Sequence, residues 1–482
     1  MLDDIIRERK NKLAKLQAAG VDPYPVSSKR THMADEVLTD FAKLLRGKKK
    51  VFLAGRVIGL RDMGNVMFLD LHDETGTMQA ILRKDNLKDF ALLKATLDRG
   101  DFLNIGGPVF LTKTKQKSVE AKFAIILSKA LRPLPDKWAG IEDTETRLRQ
   151  RYLDLIMNPE VATMFRKKTA FWESFRAAMK RGGFLEVELP VLESVPGGAE
   201  AEPFTTHHNA LDTDFYLRIS LELPLKKLLV AGYEKVFEIG RIFRNEGIDK
   251  DHLQDYTQIE FYWAYHDYRD LMVFLERIYK EVIKKTTGGL TSTYEGQKIN
   301  WGKKWAKVDY VDVFKKGSDL DPLSATDAEL FAKAEALGLH PEKGLGRGRL
   351  IDLIFKKTAR PKLVEPCFLI DPPVEIEPLA KRSPKDPRRV ERLQIVAAGT
   401  ELGKGFSELN DPVDQRARFE EQMRLRAAGD KEAQQLDEDY VEALEYGMPP
   451  AAGFGISERL FAVLMDKPVR ETVFFPLMRK AS

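Results

Sequence analysis

The sequence predicts an α+β chain in which a small closed β-barrel precedes a larger part that mixes helices and strands. Three observations support this prediction. Five short strand-like runs follow one another between residues 51 and 131, a long helical repeat begins at Pro159, and two further strands cover 236–243 and 256–265. With 482 residues the chain is too long for one ordinary core, and its length suggests about three domains.

Composition excludes several classes of protein. Hydrophobic residues make up 43% and charged residues 32% of the chain, which are the proportions of a globular protein. A single cysteine, Cys367, rules out an intrachain disulfide and a zinc site built from thiolates. No apolar run approaches the ~18 residues of a membrane span, and the N-terminus carries early acids instead of an apolar signal core. We therefore expect a cytoplasmic protein without a membrane span and without zinc.

The first element is a basic amphipathic helix over residues 1–19, which Gly20 and Pro23 end. Such a helix can contact RNA or dock on the body of the protein, and the sequence does not choose between the two. The net charge of +4 is too small to prove a polyanionic partner. Lys113, Lys115 and Lys117 alternate with polar residues, which is typical of a solvated surface and also of a loop that binds nucleic acid.

The five strand-like runs predict a five-stranded barrel. They cover 51–57, 66–71, 78–82, 102–105 and 123–127, and the segment 73–76 supplies a hairpin turn. Five short strands favour an OB-fold, and such folds often bind single-stranded nucleic acid on an exposed face. Phe68 and Gln79 are then candidates for base stacking and base-edge contact, although Phe68 is equally well explained as a core residue.

A proline-containing linker, a helix and a strand come next. Asn158 and Pro159 begin the helix, Gly182 ends it, and alternating residues from Leu185 mark a strand that stops at Pro190. This pair of elements carries no chemistry of its own. We expect it to serve packing or subunit contact.

The strand 256–265 is the most informative stretch. Gln258, Glu260 and Tyr262 share one face, whereas apolar and aromatic residues share the other. A carboxylate beside a phenol in the middle of a strand indicates either an exposed surface or a lined cavity. The aromatic flanks favour the cavity.

Two segments that contain glycine add further charges. Glu401 and Glu408 have opposite parity along one strand, but a bulge near Gly403 would bring both carboxylates to one side. Ser457 fits a helix N-cap and places Arg459 in the first turn, where the helix dipole disfavours a cation. The arginine therefore needs an anion, either the neighbouring glutamate or a bound phosphate.

The chain lacks a Walker loop, a dinucleotide fingerprint and a zinc-protease motif. The adjacent pair His207-His208 is a weak metal site because the two rings cannot point along one strand face. Arginines and carboxylates are the remaining candidates for a functional site. They suit the positioning of a nucleotide with Mg²⁺ better than covalent catalysis.

Several motifs stand in the order found in a known family. They include Arg149-Gln150-Arg151-Tyr152-Leu153-Asp154-Leu155, Pro196-Gly197-Gly198-Ala199, Phe243-Arg244-Asn245-Glu246-Gly247 and Ser407-Glu408-Leu409-Asn410-Asp411. Together they resemble the class II aminoacyl-tRNA synthetases, and specifically the class II lysyl-tRNA synthetases. The resemblance implies an OB-fold anticodon-binding domain and a catalytic domain whose mixed, mainly antiparallel sheet is flanked by helices, usually in a homodimer.

The resemblance also implies a division of the chain. An N-terminal basic helix and extension take residues 1–45, the OB-fold domain 46–135, a linker 136–158 and the catalytic domain 159–482, with a helical insertion at about 303–390. The helix and strand that end at Pro190 correspond to the family's dimer element.

The site residues are assigned by the same resemblance. Arg244 and Arg459 are the catalytic residues. The ATP set is Arg244, Glu246, His252, Tyr256, Glu401 and Arg459; the lysine set is Gly198, Glu222, Arg244, Glu260, Tyr262, Lys404, Phe406 and Glu408; the anticodon set is Arg61, Phe68 and Gln79; the Mg²⁺ set is Glu401, Glu408 and Gln394. The implied reaction forms lysyl-adenylate from L-lysine and ATP with release of pyrophosphate, then transfers lysine to the 3′ end of tRNA(Lys).

Three positions depart from the family pattern. Gln394 stands where a metal-binding glutamate is frequent, Lys404 stands where an asparagine is usual, and the run before Arg459 is one residue short. Lys404 can pair with the substrate carboxylate or repel a lysine ammonium. Two alternatives stay open. An aspartyl or asparaginyl synthetase is disfavoured by Glu260 and Glu408. A synthetase-derived regulatory protein is left open by Gln394, but it is disfavoured by the retained site residues Arg244, Glu246, Glu401, Glu408 and Arg459.

Overall fold

The computed structural model describes residues 2–135, 143–247, 252–342, 345–430 and 432–479. The chain forms two compact units, Met1–Glu142 and Asp143–Ser482. None of the helices in the described ranges is long and apolar enough to cross a membrane.

The first unit contains four helices and six strands within its described residues. In chain order they are α1 (Leu2–Ala18), α2 (Ala34–Thr39), α3 (Phe41–Gly47), β1 (Lys50–Asp62), β2 (Val66–His72), β3 (Thr77–Arg83), α4 (Phe90–Thr96), β4 (Phe102–Leu111), β5 (Lys117–Ala121) and β6 (Phe123–Ser128). Alternate residues of β1 and β2, among them Val51, Leu53, Met67 and Leu69, point into the core, as the two-residue period of a strand requires.

A closed barrel results because β1 pairs with both β2 and β4, so the order β1-β2-β3-β5-β4 returns to its first strand. The prediction of a five-stranded OB-fold is confirmed, and so is the hairpin turn, in which Asp73 N–H donates to Gly76 O. The strand inventory was wrong in one place. Strand β5, which begins at Lys117, completes the barrel, whereas the run 123–127 forms β6 and pairs only with β4.

Helix α1 docks on the barrel. The Arg9 guanidinium donates to the carbonyl oxygens of Arg99, Ala130 and Arg132 at 3.0–3.1 Å, and Lys12 Nζ lies 2.7 Å from Asp98 Oδ1. Of the two roles that the sequence left open, the structure therefore shows the docked one.

The second unit is larger. Its helices are α5 (Thr144–Arg149), α6 (Arg151–Met157), α7 (Pro159–Arg181), α8 (Glu222–Val230), α9 (Tyr268–Thr287), α10 (Tyr310–Ser318), α11 (Asp327–Ala336), α12 (Arg347–Thr358), α13 (Pro412–Ala427), α14 (Glu438–Glu445) and α15 (Arg459–Met465). Its strands are β7 (Leu185–Glu186), β8 (Leu192–Glu193), β9 (Thr205–His208), β10 (Thr213–Leu217), β11 (Lys235–Phe243), β12 (Asp255–Ala264), β13 (Thr291–Tyr294), β14 (Gln297–Asn300), β15 (Ala306–Asp309), β16 (Cys367–Ile370), β17 (Arg392–Ala397), β18 (Thr400–Ser407) and β19 (Ala451–Ser457).

Eight of these strands form one sheet in the order β15-β16-β17-β18-β19-β12-β11-β7. Its pairs are antiparallel except β15–β16 and β11–β7, so the predicted mixed, mainly antiparallel sheet is confirmed. One sheet face packs on α7 and α9 through buried residues such as Phe175, Leu275, Phe261 and Phe454. The opposite face carries a second hydrophobic cluster, which includes Val236, Tyr262 and Phe406, and also the polar side chains that line a cavity.

The strand predicted from Leu185 to Pro190 was too long. Only Leu185 and Glu186 pair with β11. Val187 N–H still donates to Phe237 O at 2.9 Å. At Leu189 side chains replace the ladder, because Glu238 accepts from Leu189 N–H at 3.0 Å and Arg218 donates to Leu189 O at 3.1 Å.

Part of the predicted linker 136–158 is ordered as α5 and α6 of the second unit, while 136–142 lie outside the described residues. A buried ion pair explains this order, since Arg151 Nη1 lies 2.5 Å from Asp154 Oδ2 and the same guanidinium donates to the carbonyl oxygens of Glu471, Val473 and Phe474. The predicted insertion at 303–390 contains α10, α11 and α12, and also contributes the edge strands β15 and β16.

Candidate active site

A cavity of about 800 Å³ lies against the polar face of the eight-stranded sheet. The sequence-predicted residues that line it are Gly198, Glu222, Arg244, Glu246, His252, Tyr256, Glu260, Tyr262, Gln394, Glu401, Lys404, Phe406 and Arg459. They come from distant parts of the chain, and the strand order β17-β18-β19-β12 brings them together. Glu408 is not among the lining residues and has 2% of its surface exposed, but its Oε1 lies directly beside Gly453, which lines the cavity.

Strand β12 supplies the centre of the site. Gln258, Glu260 and Tyr262 alternate along the strand, and all three are buried. Glu260 Oε1 accepts hydrogen bonds from Ser220 Oγ (2.9 Å), from Leu221 N–H (3.1 Å) and from the Gln258 amide, while Oε2 accepts from Tyr262 Oη at 3.2 Å. Neutral donors fix this carboxylate but do not neutralise it. The polar face therefore borders a cavity, as the sequence favoured.

A second group of acids lies beside Glu260. Glu222, at the start of α8, and Glu408, just after β18, both form ion pairs with Lys226, whose side chain has no exposed surface. Burial raises the pKa of Glu222 to about 7 and also raises the pKa of Glu408. Burial alone would lower the pKa of Lys226, but Glu222 and Glu408 outweigh it and hold that pKa well above its ordinary value.

Two glycines allow this close packing. Gly198 has a φ of +79°, and a Cβ there would lie 2.8 Å from Glu222 Cβ. A Cβ at Gly453 on β19 would collide with the Tyr262 ring and with Glu408 Oε1. Any larger residue at Gly198 or Gly453 would displace the acids, which explains why glycine occupies both positions.

The predicted bulge in β18 is confirmed. The register of β17 and β18 shifts between the pairs Ile395–Gly403 and Val396–Glu401, so Leu402 is the extra residue. Glu401 thereby faces the same side as Lys404, and Glu401 Oε2 accepts a hydrogen bond from Gln394 Nε2 at 2.6 Å. Lys404 Nζ lies 2.9 Å from Glu377 Oε2, which gives this unusual lysine a partner within the protein.

Arginines line the end of the cavity that the resemblance assigns to ATP. Arg244 Nε donates to Ile219 O at 3.2 Å, and its guanidinium carbon lies 5.7 Å from the centre of the Tyr256 ring. Arg459 is the first residue of α15, where its side chain reaches the same cavity. Two planar cations therefore face the same cavity, and planar cations suit the recognition of phosphate groups.

The predicted N-cap at Ser457 was wrong. Ser457 still pairs with Gln258 in the sheet, so Glu458 occupies the cap position and α15 begins at Arg459. The Ser457 hydroxyl accepts the Arg459 N–H at 3.3 Å. Glu458, the suggested anion for Arg459, lies 2.8 Å from Lys168 Nζ and accepts the Thr257 N–H at 3.0 Å.

The residues at Glu401 do not fit a resident Mg²⁺. Glu401 and Glu408, both assigned to the metal, have different partners, and no group of three His, Cys, Asp or Glu side chains that could hold a metal occurs in the described part of the chain. Although burial would raise the pKa of Glu401, the cations Arg392, Lys404 and Arg459 hold that pKa below its ordinary value. A carboxylate that already faces an amide donor and several cations offers little charge to a divalent ion.

Sequence reasoning missed four residues of the site. Ser220 and Lys226 hold the acids, and Glu377 and Arg392 surround Lys404 and Glu401. The spacing of Glu222 and Lys226 by four residues was a usable signal, since such pairs meet on one helix face. The other contacts join distant segments and leave no local pattern.

The first unit carries a separate candidate site on the barrel. Arg61 pairs with Phe68 across β1 and β2, and Gln79 pairs with Asp70 across β2 and β3, so Arg61, Phe68 and Gln79 share the outer face. The Phe68 ring is half-buried there, 5.9 Å from the Arg61 guanidinium carbon, while its neighbours Met67 and Leu69 fill the core. Gln79 Oε1 accepts from Ser118 Oγ at 2.7 Å. Phe68 is therefore not a core residue.

Comparison with known proteins agrees with this architecture. Residues 143–479 match the family described as tRNA synthetases class II (D, K and N), and residues 51–127 match the OB-fold nucleic acid binding domain. Proteins called lysine--tRNA ligase are similar over nearly the full length: that of Moorella thermoacetica is 45% identical over 99% of this chain and 98% of its own. Those of Carboxydothermus hydrogenoformans and Roseiflexus castenholzii are each 43% identical, over 99% of this chain and 98% and 99% of their own. The chain therefore belongs to the class II tRNA synthetases, in the group of the lysine--tRNA ligases.

Proposed function

We propose that the protein is a lysine–tRNA ligase, which activates L-lysine with ATP to lysyl-adenylate and pyrophosphate and then transfers lysine to the 3′ end of tRNA(Lys). The observation that carries the proposal is the set of buried acids, Glu222, Glu260 and Glu408, next to a cavity that also presents Arg244 and Arg459. An acidic pocket selects a cationic amino acid, and the arginines suit a nucleotide.

The charges of the pocket match those of lysine. Three carboxylates and Lys226 leave two negative charges in the ionised pocket, and lysine brings two ammonium groups. Glu222 and the Gly198 backbone would take the α-ammonium group, while Glu260, Tyr262 and Glu408 would take the ε-ammonium group. Glu408 Oε1 supports the second assignment, because it is buried and no donor among the described residues bonds to it.

The first step needs orientation and charge neutralisation. An oxygen of the lysine carboxylate attacks the α-phosphorus of ATP in line, the new O–P bond forms, and the bond to the β-phosphate oxygen breaks to release pyrophosphate. Arg244 would neutralise the α-phosphate and the carboxylate, with Tyr256 stacked on adenine and Glu246 and His252 at the nucleotide. Arg459 would hold the γ-phosphate. No side-chain nucleophile is required.

In the second step, the terminal ribose hydroxyl of tRNA attacks the lysyl carbonyl carbon, and AMP leaves. The acids that hold the lysine side chain stay in place, so the same pocket serves both steps. Mg²⁺, which class II synthetases generally use with ATP, would enter with the nucleotide, since the residues at Glu401 do not fit a resident ion.

Amino-acid-dependent pyrophosphate exchange tests the proposal. We expect exchange with lysine and none with aspartate or asparagine. Exchange with aspartate would redirect the specificity, and an absence of exchange with any amino acid would favour the regulatory alternative. The three buried acids argue against exchange with aspartate, because an acidic side chain would need cations in their place.

Gln394→Glu is expected to create a divalent-ion site. A second carboxylate beside Glu401 raises the charge of the ligand set, and the Mn²⁺ dissociation constant should fall at least about tenfold. Paramagnetic resonance of Mn²⁺ with the protein alone measures this without turnover. Gln394→Met, which removes the amide but adds no charge, is the control and should bind as the wild type does. Equal Mn²⁺ binding by all three proteins would contradict our account of Glu401.

The basic loop of the barrel gives a second prediction. Of Lys113, Lys115 and Lys117, the last is held within the protein: Lys117 Nζ donates to Leu38 O at 2.9 Å and lies 5.3 Å from the Phe41 ring centre. We therefore expect Lys113→Ala/Lys115→Ala to weaken tRNA and to reduce the slope of log K against log salt by about 1.4, for two contacts with single-stranded RNA. Lys284→Ala/Lys285→Ala removes the same charge from α9 and should leave the slope unchanged.

We extend the proposal to a homodimer in the cytoplasm. Phe165 and Trp172 of α7 line a groove of about 390 Å³ with Phe475 and Leu477, whose side chains are 71% and 56% exposed. Exposed apolar side chains at the predicted dimer element support a subunit interface. Sedimentation equilibrium should give twice the monomer mass, and a monomer at micromolar concentration would contradict this part of the proposal.

A further inference from the structure

Lys226 is an unusual residue because its ammonium group is completely buried. Its Nζ lies 2.5 Å from Glu222 Oε1 and forms a second ion pair with Glu408 Oε2. Glu222 lies four residues earlier on α8, whereas Glu408 follows β18. One cation thus joins two carboxylates that come from separate elements.

Aromatic rings complete the surroundings of this ammonium group. Its Nζ lies 5.2 Å from the ring centre of Phe406, 5.9 Å from that of Tyr262 and 6.0 Å from that of Tyr440. These rings come from β18, β12 and α14. They surround the ammonium group and limit its positions, and the faces of the rings attract it.

The ion pairs use one oxygen of each acid. Lys226 takes Oε1 of Glu222 and Oε2 of Glu408, which leaves Oε2 of Glu222 and Oε1 of Glu408 for other donors. Lysine carries two ammonium groups. The number of remaining oxygens therefore equals the number of cationic groups that the proposed function requires the pocket to bind.

We propose that Lys226 is a positioning residue that fixes Glu222 and Glu408 so that each acid offers one oxygen to one ammonium group of substrate lysine. This inference rests on the proposed function and deepens it. Without the Lys226 ammonium group, neither acid would have the contact that fixes which of its oxygens faces the substrate.

The same arrangement selects against arginine. A guanidinium group binds a carboxylate best through two parallel hydrogen bonds to its two oxygens. Because Lys226 occupies one oxygen of Glu408, only one remains at the end of the pocket. An ammonium group is satisfied by that oxygen, whereas a guanidinium group is not.

Lys226→Met tests the inference, with Lys227→Met as the matched control. Lys227 is the next residue, partly exposed and paired with the exposed Asp439. We expect Lys226→Met to raise the calorimetric dissociation constant of lysine on the order of 100-fold at pH 7 and to leave the KM of ATP within about threefold. The control should match the wild type.

A residue that only packs α8 against β18 would give losses of lysine binding and of ATP binding that are equal. That result, or unchanged lysine binding at pH 7, would overturn the inference.

Lys226→Arg provides an independent test, because it keeps the buried positive charge even if the methionine variant does not fold. Its forked N–H groups can take both oxygens of a carboxylate, so we expect lysine affinity to fall at least about tenfold. Lysine binding equal to that of the wild type would contradict the one-oxygen arrangement. Absence of lysine-dependent exchange in the wild type would instead overturn the proposed function itself.

Discussion

Glu260→Gln should weaken lysine binding on the order of 100-fold or more and leave the KM of ATP within about threefold. The substitution keeps the size of the side chain but removes a buried negative charge that only neutral donors surround. It also places an amide where Oε1 accepts three hydrogen bonds, so donors would face a donor in one orientation of the new side chain. Lysine-dependent pyrophosphate exchange, with each substrate varied in turn, measures both effects.

Glu234→Gln is the matched control for this experiment. Glu234 is an exposed glutamate just before β11, and we expect its substitution to change neither KM. Equal losses of lysine and ATP in the Glu260 variant would count against the pocket assignment, since they would indicate a general distortion of the sheet.

The centre of this site could be predicted because it lies within one strand. The two-residue period of β12 separates Glu260 and Tyr262 from Ile259 and Phe261, and the structure places the first pair at the cavity and the second in the core. The bulge in β18 could be predicted for a similar reason, because two acids of opposite parity stand beside a glycine. The cavity-facing residues of β12 and the bulge in β18 could therefore both be predicted from the local periodicity of a strand.

Lys226 could not be identified in this way. Two adjacent lysines in an apolar helix look alike in sequence, yet Lys226 is buried and Lys227 is partly exposed. The difference arises from Glu408 and Tyr440, which approach from elements that follow far along the chain. Similarly, Lys117 belongs to a basic cluster in sequence, but β5 is a strand because β3 and β4 pair with it. Contacts with distant segments of the chain therefore determine the environments of Lys226 and Lys117.

The ends of elements were the least predictable features. Serine is a residue type that is favoured at a helix N-cap, but pairing with Gln258 keeps Ser457 in β19, and the helix begins two residues later. The strand after α7 stops early because Arg218 and Glu238 bind its backbone. In both places a tertiary hydrogen bond overrides a correct local preference.

Arg244→Lys should lower the kcat of pyrophosphate exchange about 100- to 1,000-fold and change the KM of lysine by less than about tenfold. The α-phosphate gains charge only as the lysine carboxylate attacks, so a cation fixed at that point acts mainly in the transition state. Lysine keeps the charge but loses the planar fork, and it loses the contact that the guanidinium group makes with the Tyr256 ring, 5.7 Å from the ring centre.

Arg241→Lys separates this effect from the loss of any arginine near the strand end. Arg241 lies three residues earlier on β11, is 44% exposed and pairs with Asp255 on the surface. Its substitution should leave kcat within about twofold, because exposed ion pairs contribute little. A fall in kcat of the same size in both variants would show that the sheet edge, and not a phosphate contact, requires arginine. A rise in the KM of ATP at constant kcat would show that Arg244 binds the ground state and the transition state equally, because a contact formed equally in both states cannot lower the barrier between them.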